Sequence, residues 1–317
     1  MTGTSILVAE LGGTTMRVAR YDPASRAVRD RVDRPIPVVD PQESTADHRD
    51  RVHAALVALT DAVIGGPPAV AAIAYPGPID SAGRVLATPT MQRRGGFAPY
   101  DLRGDLAGRW PGSRIVVAND LTAAGTRYAA DGLRDFAIVT VGSGIGHKVF
   151  LDGLPRAGRG RGGEIGHLRV DHSERAPRCD CGGTGHLGAV ASGRGTVALY
   201  RRELRRTGAP EPDCRVDGYA LAAAFHRGDA AAVAAVTTAA GYLGHALAAM
   251  HLDTGVEDFL VIGGFARGLG PAYRDLLAVA AAAECWDLGQ DWPGMIRVPD
   301  AEDGAALLGM GVLALRV

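Results

Sequence analysis

The sequence predicts an α/β protein of two lobes. Apolar, β-branched runs typical of strands alternate with stretches of helical periodicity, and one order of strand, glycine pair and helix occurs in both halves. The chain has 317 residues, 47% of them hydrophobic, which is enough to bury two cores. We therefore expect an N-terminal α/β lobe of residues 1–115 and a C-terminal α/β lobe of residues 116–317 that ends in a closing helix.

The predicted elements alternate in the way that a parallel sheet requires. A hairpin opens the chain, a strand–helix–strand unit follows, and Pro76 ends its strand because proline cannot continue a ladder. In the second half, a predicted strand is again followed by a glycine pair and then by a helix. The predicted elements are strands at 5–9 and 16–21, a helix at 49–64, strands at 69–75 and 114–118, a helix at 121–130, a strand at 136–141, a helix at 229–251, a strand at 258–262 and a helix at 301–315.

Charge and cysteine content exclude several classes of protein. The chain carries 34 basic and 35 acidic residues, so no field favours nucleic acid or an anionic membrane. No apolar run was expected to be long enough to cross a bilayer, and no secretory signal is evident, so we expect a cytoplasmic protein without a membrane or nucleic-acid partner. Cys179 and Cys181 are too close in sequence to pair comfortably with each other, which favours metal ligation.

Glycine-rich turns follow three of the predicted strands. Backbone N–H groups in such turns can converge on phosphate oxygens because no Cβ blocks the approach, and threonine hydroxyls add donors. A hairpin also uses Gly-Gly for conformational reasons alone, so one such turn is a weak signal. Three turns together predict a nucleotide held in a cleft between lobes, although neither the Walker A pattern nor the dinucleotide fingerprint is present. The candidate phosphate-binding residues are Glu10, Gly12, Gly13, Thr14, Thr15, Gly142, Ser143, Gly144, Gly263 and Gly264.

Two carboxylates stand out as candidates for chemistry or ligand binding. Asp120 follows Asn119 at the carboxyl end of a predicted strand, where ligands gather in open α/β sheets. It could accept a proton from a hydroxyl nucleophile while Asn119 orients the acceptor, or it could simply cap the helix that starts at Leu121. Glu164 lies in a glycine-rich stretch, which favours a ligand contact over a surface charge.

Two thiols and two imidazoles lie within a short segment. Cys179 and Cys181 form a Cys-x-Cys pair, His186 follows them, and His167 precedes them. Zinc prefers tetrahedral sulfur and nitrogen donors, so these four residues predict a structural Zn²⁺ site. A closed four-ligand shell leaves no position for an activated water, and the metal should therefore shape the loop without performing chemistry. Two exposed histidines beside unrelated thiols are the alternative.

Six motifs, read together, point to a known family. They are Glu10-Leu11-Gly12-Gly13-Thr14, Ala74-Tyr75-Pro76-Gly77-Pro78-Ile79-Asp80, Asn119-Asp120, Gly142-Ser143-Gly144-Ile145-Gly146, Glu164-Ile165-Gly166-His167 and Cys179-Asp180-Cys181-Gly182. Over nearly its whole length the chain resembles the ROK family of bacterial sugar kinases and repressors. The last two motifs resemble the family's diagnostic signatures and are highly specific in combination.

The resemblance implies an actin-like, two-lobed fold of the ribonuclease H type with an interdomain cleft. It also implies transfer of the γ-phosphate of ATP to a sugar hydroxyl, usually at the 6-position, with Mg²⁺ bridging the phosphates. Asp120 would be the base, Asn119, Glu164 and His167 would contact ring hydroxyls, and Gly77 would belong to the substrate site. Dimers are common among relatives, so a homodimer is expected.

Four features depart from the family pattern. Glu10 stands where aspartate is usual, and its extra methylene moves the carboxylate by about a bond length, which puts activity in question. His186 replaces the usual third cysteine. His147 and Lys148 occupy positions where small residues are common; Lys148 could approach a phosphate or point to solvent, and we predict solvent. Gly188 lies where a glutamate usually contacts the sugar near its anomeric end.

The missing glutamate bears on the substrate. Deleting a polar partner should change specificity more than affinity, so the predicted acceptor is the 6-hydroxyl of a modified hexose such as kanosamine. An ordinary glucokinase, a C7-cyclitol kinase and a non-catalytic sugar sensor are the alternatives. A repressor is not expected, because the chain begins almost at the first phosphate strand and carries no basic surface for DNA.

Overall fold

The computed structural model describes residues 6–40, 42–88, 99–210, 216–299 and 304–316. The chain divides into two compact units, named here unit 1 and unit 2. Unit 1 comprises Met1–Arg134, Phe150–Gly162 and Asp303–Val317, and unit 2 comprises Asp135–Val149 and Gly163–Glu302. The expected lobe boundary between residues 115 and 116 therefore lies inside unit 1, and the closing helix expected in the C-terminal lobe belongs to unit 1.

The helices and strands of the described residues cover most of the predicted elements. Helix 49–64 begins earlier than predicted, at Thr45, because the Ser44 hydroxyl accepts the Asp47 N–H and caps the first turn. In chain order the elements are β1 Ile6–Leu11, β2 Thr15–Asp22, β3 Ala27–Pro35, α1 Thr45–Ile64, β4 Val70–Tyr75, β5 Arg84–Val85, β6 Tyr100–Asp101, α2 Leu102–Arg109, β7 Arg114–Asn119, α3 Asp120–Ala130, β8 Phe136–Val141, β9 Ile145–Leu151, β10 Leu154–Pro155, a 3₁₀ turn Ile165–His167, α4 Leu187–Ala191, α5 Gly193–Thr207, α6 Gly218–His226, α7 Ala230–Thr254, β11 Phe259–Ile262, α8 Gly264–Leu269, α9 Pro271–Ala282, α10 Trp292–Met295, β12 Ile296–Arg297 and α11 Ala305–Arg316.

A five-stranded sheet of order β3-β2-β1-β4-β7 forms the centre of unit 1. β2 runs antiparallel to β1, whereas β4 and β7 run parallel to it. Helices α3 and α11 pack against each other, and α11 also packs on β1 and β4. Glycine permits this close approach, because a Cβ on Gly309 would overlap the Ala123 carbonyl and one on Gly311 would overlap the Tyr21 ring. This packing is why the last helix belongs to unit 1.

The parallel strands of unit 1 end at one edge of the sheet. Glu10 of β1 is aligned with Ala74 of β4, and Tyr75 at the end of β4 is aligned with Asn119 at the end of β7. The turn at Gly12, the loop at Gly77 and the start of α3 therefore leave the sheet on the same side.

The second sheet repeats the plan of the first. Its order is β10-β9-β8-β11-β12, with an antiparallel hairpin on one side and the parallel strands β8, β11 and β12 on the other. The two sheets thus share one strand order, but the predicted repetition of strand, glycine pair and helix is not exact. Gly263-Gly264 leads into α8, whereas Gly12-Gly13 leads into strand β2. β8 and β11 lie side by side, with Thr140 aligned with Ile262, so the glycine turns that follow them leave from the same edge.

Helix α7 is the long core helix of unit 2. It packs against α5 and α9, and many of its small side chains are buried. Within the described residues, α7 is the one helix long and apolar enough to span a membrane, so the expectation that no segment meets that criterion is wrong. Of the most apolar 18-residue stretch of α7, 56% is buried within the protein, as is typical of a core helix.

Candidate active site

Asn119 and Asp120 lie where β7 passes into α3. The Asn119 Oδ1 atom accepts the N–H groups of Leu121 at 3.0 Å and Thr122 at 3.2 Å, so Asn119 is the N-cap of the helix. Asp120 is the first helical residue, and its Oδ1 accepts the Leu121 N–H at 2.8 Å. The capping role left open for Asp120 therefore falls on Asn119, and Asp120 stands at the positive end of the helix dipole.

The loop after β4 is fixed by the same asparagine. Asn119 Nδ2 donates to the Gly77 carbonyl at 2.9 Å. Gly77 has a φ of +92°, and a Cβ there would overlap the Ala87 carbonyl oxygen, so only glycine suits this position. The Asn119 amide thus makes three hydrogen bonds within unit 1. Two of them bind the start of α3, and the third binds the Gly77 loop. One Nδ2 hydrogen remains for the predicted acceptor contact.

The first glycine turn joins β1 to β2. Gly12 N–H donates to the Thr15 carbonyl at 2.9 Å, while Gly13 and Thr14 are exposed at the tip. No atom lies within 4 Å of a Cβ built on Gly13, so the turn leaves open space at its tip. The carboxylate of Glu10 lies 3.1 Å from an Arg17 guanidinium nitrogen, with 18% of the Glu10 side chain exposed.

The glycine turns of unit 2 meet at one point. The Gly142 carbonyl accepts the Gly193 N–H at the start of α5, at 2.8 Å, and the Gly142 N–H donates to Gly144 at 3.0 Å. Gly263, with a φ of +106°, packs so closely on β8 that a Cβ would lie 2.6 Å from the Val141 carbonyl oxygen. Gly264 follows as the first residue of α8. Cβ atoms on Gly142 and Gly144 would meet nothing within 4 Å, so these backbones are open to a ligand.

Arg194 connects this glycine turn to the cysteine-rich loop. Its Nε donates to the Ser143 carbonyl at 2.6 Å, and its Nη2 donates to Asp180 Oδ2 at 2.6 Å. Asp180 lies between the two cysteines. This contact was not predictable from the sequence, because the three residues lie in separate segments of the chain.

Glu164 lies directly before the 3₁₀ turn, beside a buried lysine. Its Oε1 is 3.6 Å from Lys148 Nζ, and the Lys148 residue is 2% exposed. The prediction that Lys148 points to solvent is wrong, because its partner Glu164 gives the ammonium an internal counter-charge. Burial raises the pKa of Glu164, and the charges of Lys148 and His167 act in the opposite direction.

His147 fixes the backbone of the same segment. Its Nδ1 accepts the Ile165 N–H at 3.1 Å. Burial, and then the charge of Lys148, lower the pKa of His147 to about 4. The ring is therefore a neutral acceptor near pH 7, with its proton on Nε2.

The four predicted zinc ligands come together. Their candidate ligand atoms, one each from His167, Cys179, Cys181 and His186, all lie within 4.8 Å of one another. Cys179 Sγ is 3.6 Å from His167 Nδ1, and Cys181 Sγ is 3.2 Å from His186 Nδ1. Zinc bonds of about 2.0–2.3 Å in a tetrahedron place neighbouring ligands roughly 3.3–3.8 Å apart, so this donor set fits Zn²⁺.

The cysteine loop is a tight turn with glycine at its bends. Cys179 N–H donates to the Gly183 carbonyl at 2.8 Å, and Gly182 adopts a φ of +94°. A Cβ on Gly183 would overlap the His186 ring, so glycine is needed for that histidine to face the cysteines. Gly182 and Gly183 thus suit the tight turn that brings His186 to the cysteines.

Gly188 lies in the first turn of α4, next to the segment that carries Glu164 and His167. A Cβ on Gly188 would be 3.1 Å from the Gly166 carbonyl oxygen, a tight contact. The backbone of α4 therefore lies directly on the 3₁₀ turn, and a Cβ at this position would require a shift of a few tenths of an ångström.

A duplicated α/β fold of this topology is that of the two-lobed, actin-like class, and its open glycine turns and helix-start carboxylate fit an ATP-dependent sugar kinase. A sequence model of the ROK family matches residues 7–317, and the chain belongs to the ROK family. The fold class and enzyme class predicted from the sequence are confirmed by the kinases among its relatives and by the solved structures that it resembles.

Individual relatives agree with this assignment. The chain is 35% identical to a C(7)-cyclitol 7-kinase of Streptomyces hygroscopicus subsp. limoneus over 98% of its own length and 93% of the relative. It is 32% identical to a kanosamine kinase of Amycolatopsis mediterranei, over 65% of the chain and 64% of the relative. A ROK family glucokinase of Streptomyces griseus, solved with glucose and AMPPNP, superposes with a TM-score of 0.78 at 23% identity, covering 99% of this chain and 100% of that one.

Proposed function

We propose that this kinase transfers the γ-phosphate of ATP to the exocyclic hydroxyl of a C7-cyclitol. The observation that carries the proposal is the 35% identity to a C(7)-cyclitol 7-kinase along almost the whole of both chains. The kanosamine kinase is similar over 65% of the chain. From the sequence alone we expected a modified hexose such as kanosamine, with a C7-cyclitol as an alternative. The proposal here puts the C7-cyclitol first.

Gly188 supports the same acceptor. The family resemblance implies a glutamate at this position that contacts the sugar near its anomeric end. A cyclitol is a carbocycle and has no anomeric centre, so it does not need that contact. A Cβ on Gly188 would lie 3.1 Å from the Gly166 carbonyl oxygen, so a glutamate here would require a small shift of the backbone around it.

Asp120 is the proposed general base. It accepts the proton of the acceptor hydroxyl as that oxygen bonds to the γ-phosphorus and the bond from the phosphorus to the ADP oxygen breaks. The dipole of α3 favours the ionised carboxylate that this role requires. Asn119 holds the helix start and the Gly77 loop in place, and its remaining N–H can orient the acceptor.

The remaining predicted roles divide between acceptor and nucleotide. Glu164 and His167 contact acceptor hydroxyls, and the open glycine turns bind the phosphates through backbone N–H groups. Mg²⁺ neutralises charge on the phosphates when it is bound, and oxygen donors such as Glu10 suit this hard cation, although Arg17 shares that carboxylate at 3.1 Å. Zn²⁺, held by two cysteines and two histidines, shapes the loop that carries His167.

A modified hexose such as kanosamine is the second candidate, supported by the kanosamine kinase among the relatives. Plain glucose, and a sugar sensor without turnover, are the remaining alternatives. We further expect a cytoplasmic homodimer that binds neither nucleic acid nor membrane. Light scattering of the purified protein tests the dimer.

An ADP-release assay across C7-cyclitols, kanosamine, glucosamine, N-acetylmannosamine and glucose tests the substrate. We expect the highest kcat/KM with a C7-cyclitol, phosphorylated on the exocyclic hydroxyl as seen by phosphorus NMR. A higher kcat/KM with kanosamine supports the second candidate, and one with glucose refutes both. ADP release that no acceptor increases, and that equals the release by Asp120→Asn, supports the sensor.

A further inference from the structure

A lysine ammonium is buried under the Glu164 carboxylate in unit 2. The Lys148 side chain is 3% exposed, the Glu164 side chain is 31% exposed, and the two charged groups are 3.6 Å apart. A buried ammonium is strongly unfavourable unless an opposite charge compensates it. The more exposed member of the pair is the carboxylate, so the lysine supports Glu164 from the interior.

The chain next to Glu164 is shaped to admit this lysine. Gly163 has a φ of +91°, and a Cβ there would overlap Lys148 Nζ and lie 2.5 Å from its Cδ. The same Cβ would be 2.7 Å from the His147 carbonyl oxygen. The backbone therefore crosses the lysine side chain at a distance that only glycine permits.

The two neighbouring residues of β9 hold this segment at two points. His147 accepts the Ile165 N–H at 3.1 Å, which fixes the main chain after Glu164. Lys148 engages the Glu164 side chain. A Cβ on Gly166 would overlap the Ile145 carbonyl, so the segment also lies directly on the start of β9.

We infer that Lys148 is a positioning residue, which holds the Glu164 carboxylate in the orientation that binds the acceptor. The inference rests on the proposed function, in which Glu164 contacts acceptor hydroxyls. Glutamate has three rotatable side-chain bonds and lies beside glycine, so an internal ion pair lowers the ordering cost of binding. Lys148 acts through Glu164 and does not itself contact the acceptor or the nucleotide.

A double-mutant cycle on acceptor binding tests the inference. The variants are Lys148→Met, Glu164→Gln and the double variant, assayed with the best acceptor of the panel. Lys148→Met should raise the acceptor KM about tenfold and leave the KM of ATP unchanged, since only the acceptor contact is affected. Adding Lys148→Met to Glu164→Gln should change the acceptor KM less than about twofold, because the carboxylate on which the lysine acts is gone.

Arg297→Met provides a control in which a paired cation outside the site is lost. Arg297 of β12 also pairs with a carboxylate in unit 2, that of Asp258 at 2.6 Å, and takes no part in the proposed site. Its loss should leave the acceptor KM within about twofold of the wild-type value. If Lys148→Met does not fold, Lys148→Gln replaces it in the cycle.

A second readout does not require turnover. Glu164→Gln removes the counter-charge of a buried ammonium and should lower the Tm, and adding Lys148→Met should recover part of that loss. Effects of the two substitutions on KM that simply multiply, or an unchanged acceptor KM in Lys148→Met, would overturn the inference while the kinase function stands. A wild type that phosphorylates no polyol overturns the proposed function, and this inference with it.

Discussion

The two sheets have the same strand order, yet each unit holds its candidate carboxylate differently. In unit 1, Asp120 is placed by backbone geometry, at the first position of α3 and next to a capping asparagine. In unit 2, Glu164 precedes a short 3₁₀ turn without a side-chain cap and is held by the buried Lys148. A helix start suits a base that must be ionised, whereas an internal ion pair suits a group that must keep its orientation.

The comparison teaches that a duplicated framework need not duplicate its chemistry. Each parallel edge supplies a glycine turn, at Gly12 in unit 1 and at Gly142 in unit 2. Among the described residues, unit 2 adds a loop whose two cysteines and two histidines could hold a metal ion, and Arg194 joins this loop to the glycine turn through Ser143 and Asp180. The predictions below separate the two modes of support, from the largest expected effect to the smallest.

Replacing Asp120 by asparagine should give the largest loss. Asparagine keeps the Oδ1 acceptor for the Leu121 N–H but cannot take a proton, so kcat should fall about a thousandfold, or ~4 kcal/mol, with little change in the KM of ATP. Steady-state kinetics measure this, and Asp131→Asn at the exposed end of α3 is the control. Equal turnover in wild type and Asp120→Asn would remove Asp120 as the base.

Removing a thiol from the cysteine loop should cost the metal. Purified wild type should hold about one zinc per chain by elemental analysis, and Cys181→Ser should lose most of it and show a lower Tm, because structural zinc contributes directly to folding. Cys285→Ser, a change to a thiol outside the four-residue cluster, should keep the zinc. Wild-type protein without stoichiometric zinc would contradict the assignment.

Acid should loosen the Glu164 segment, because a neutral His147 accepts the Ile165 N–H. His147 has a pKa of about 4 in the folded protein against an ordinary value of 6.5. Between those two pH values the unfolded chain binds a proton at His147 that the folded chain does not. The contribution of His147 to the free energy of unfolding is therefore complete above pH 6.5 and is lost as the pH falls toward 4. The loss between pH 7 and 5 should be on the order of 1–2 kcal/mol.

Hydrogen exchange of residues 163–168 at pH 7 and pH 5 measures this effect. His147→Gln keeps an acceptor atom but does not titrate, so its exchange should depend less on pH than that of the wild type. His245→Gln, which alters an exposed histidine paired with Glu284, is the control. An identical pH dependence in wild type and His147→Gln would show that His147 does not hold the segment.

Removing the cap of α3 should have the smallest effect on stability. Asn119→Ala loses two accepted hydrogen bonds and the contact to Gly77, and should lower the free energy of unfolding by about 1 kcal/mol. Asn119→Asp should cost less, because its carboxylate still caps the helix. Ser44→Ala removes a comparable cap from α1 and should leave kcat unchanged. Urea unfolding and kinetics distinguish these cases, and a drop in kcat with Ser44→Ala would mean that any cap loss disturbs the site.

Several strands that bury apolar side chains could be predicted from the sequence, although β9, which buries Val149 and Phe150, was not. The predicted strand 136–141 coincides with β8, and the predicted helix 121–130 differs from α3 by one residue. β3 was missed because its arginines and aspartates alternate with few apolar residues, as on a largely exposed strand. The alternation of apolar and polar residues that predicts a half-buried strand is therefore weak in β3.

The candidate site was predictable where its residues lie close in sequence. The four zinc donors and the pair Asn119-Asp120 share short motifs, and the structure brings the donors together. The burial of Lys148 was not predictable, because its partner Glu164 belongs to a different segment and a lysine in isolation favours solvent. Arg194 was missed for the same reason. For Lys148, the one available signal is a basic residue two positions after the glycine turn that ends at Gly146.

The return of α11 to unit 1 has a consequence for how the protein is made. The sheet of unit 1 is synthesised first, yet one of the helices covering it comes from residues 305–316. On the ribosome, the apolar surface of β1 and β4 that α11 covers must wait through the synthesis of all of unit 2. Unit 2 is complete before α11 is made and can assemble first, so unit 1 gains the helix that covers β1 and β4 only afterwards.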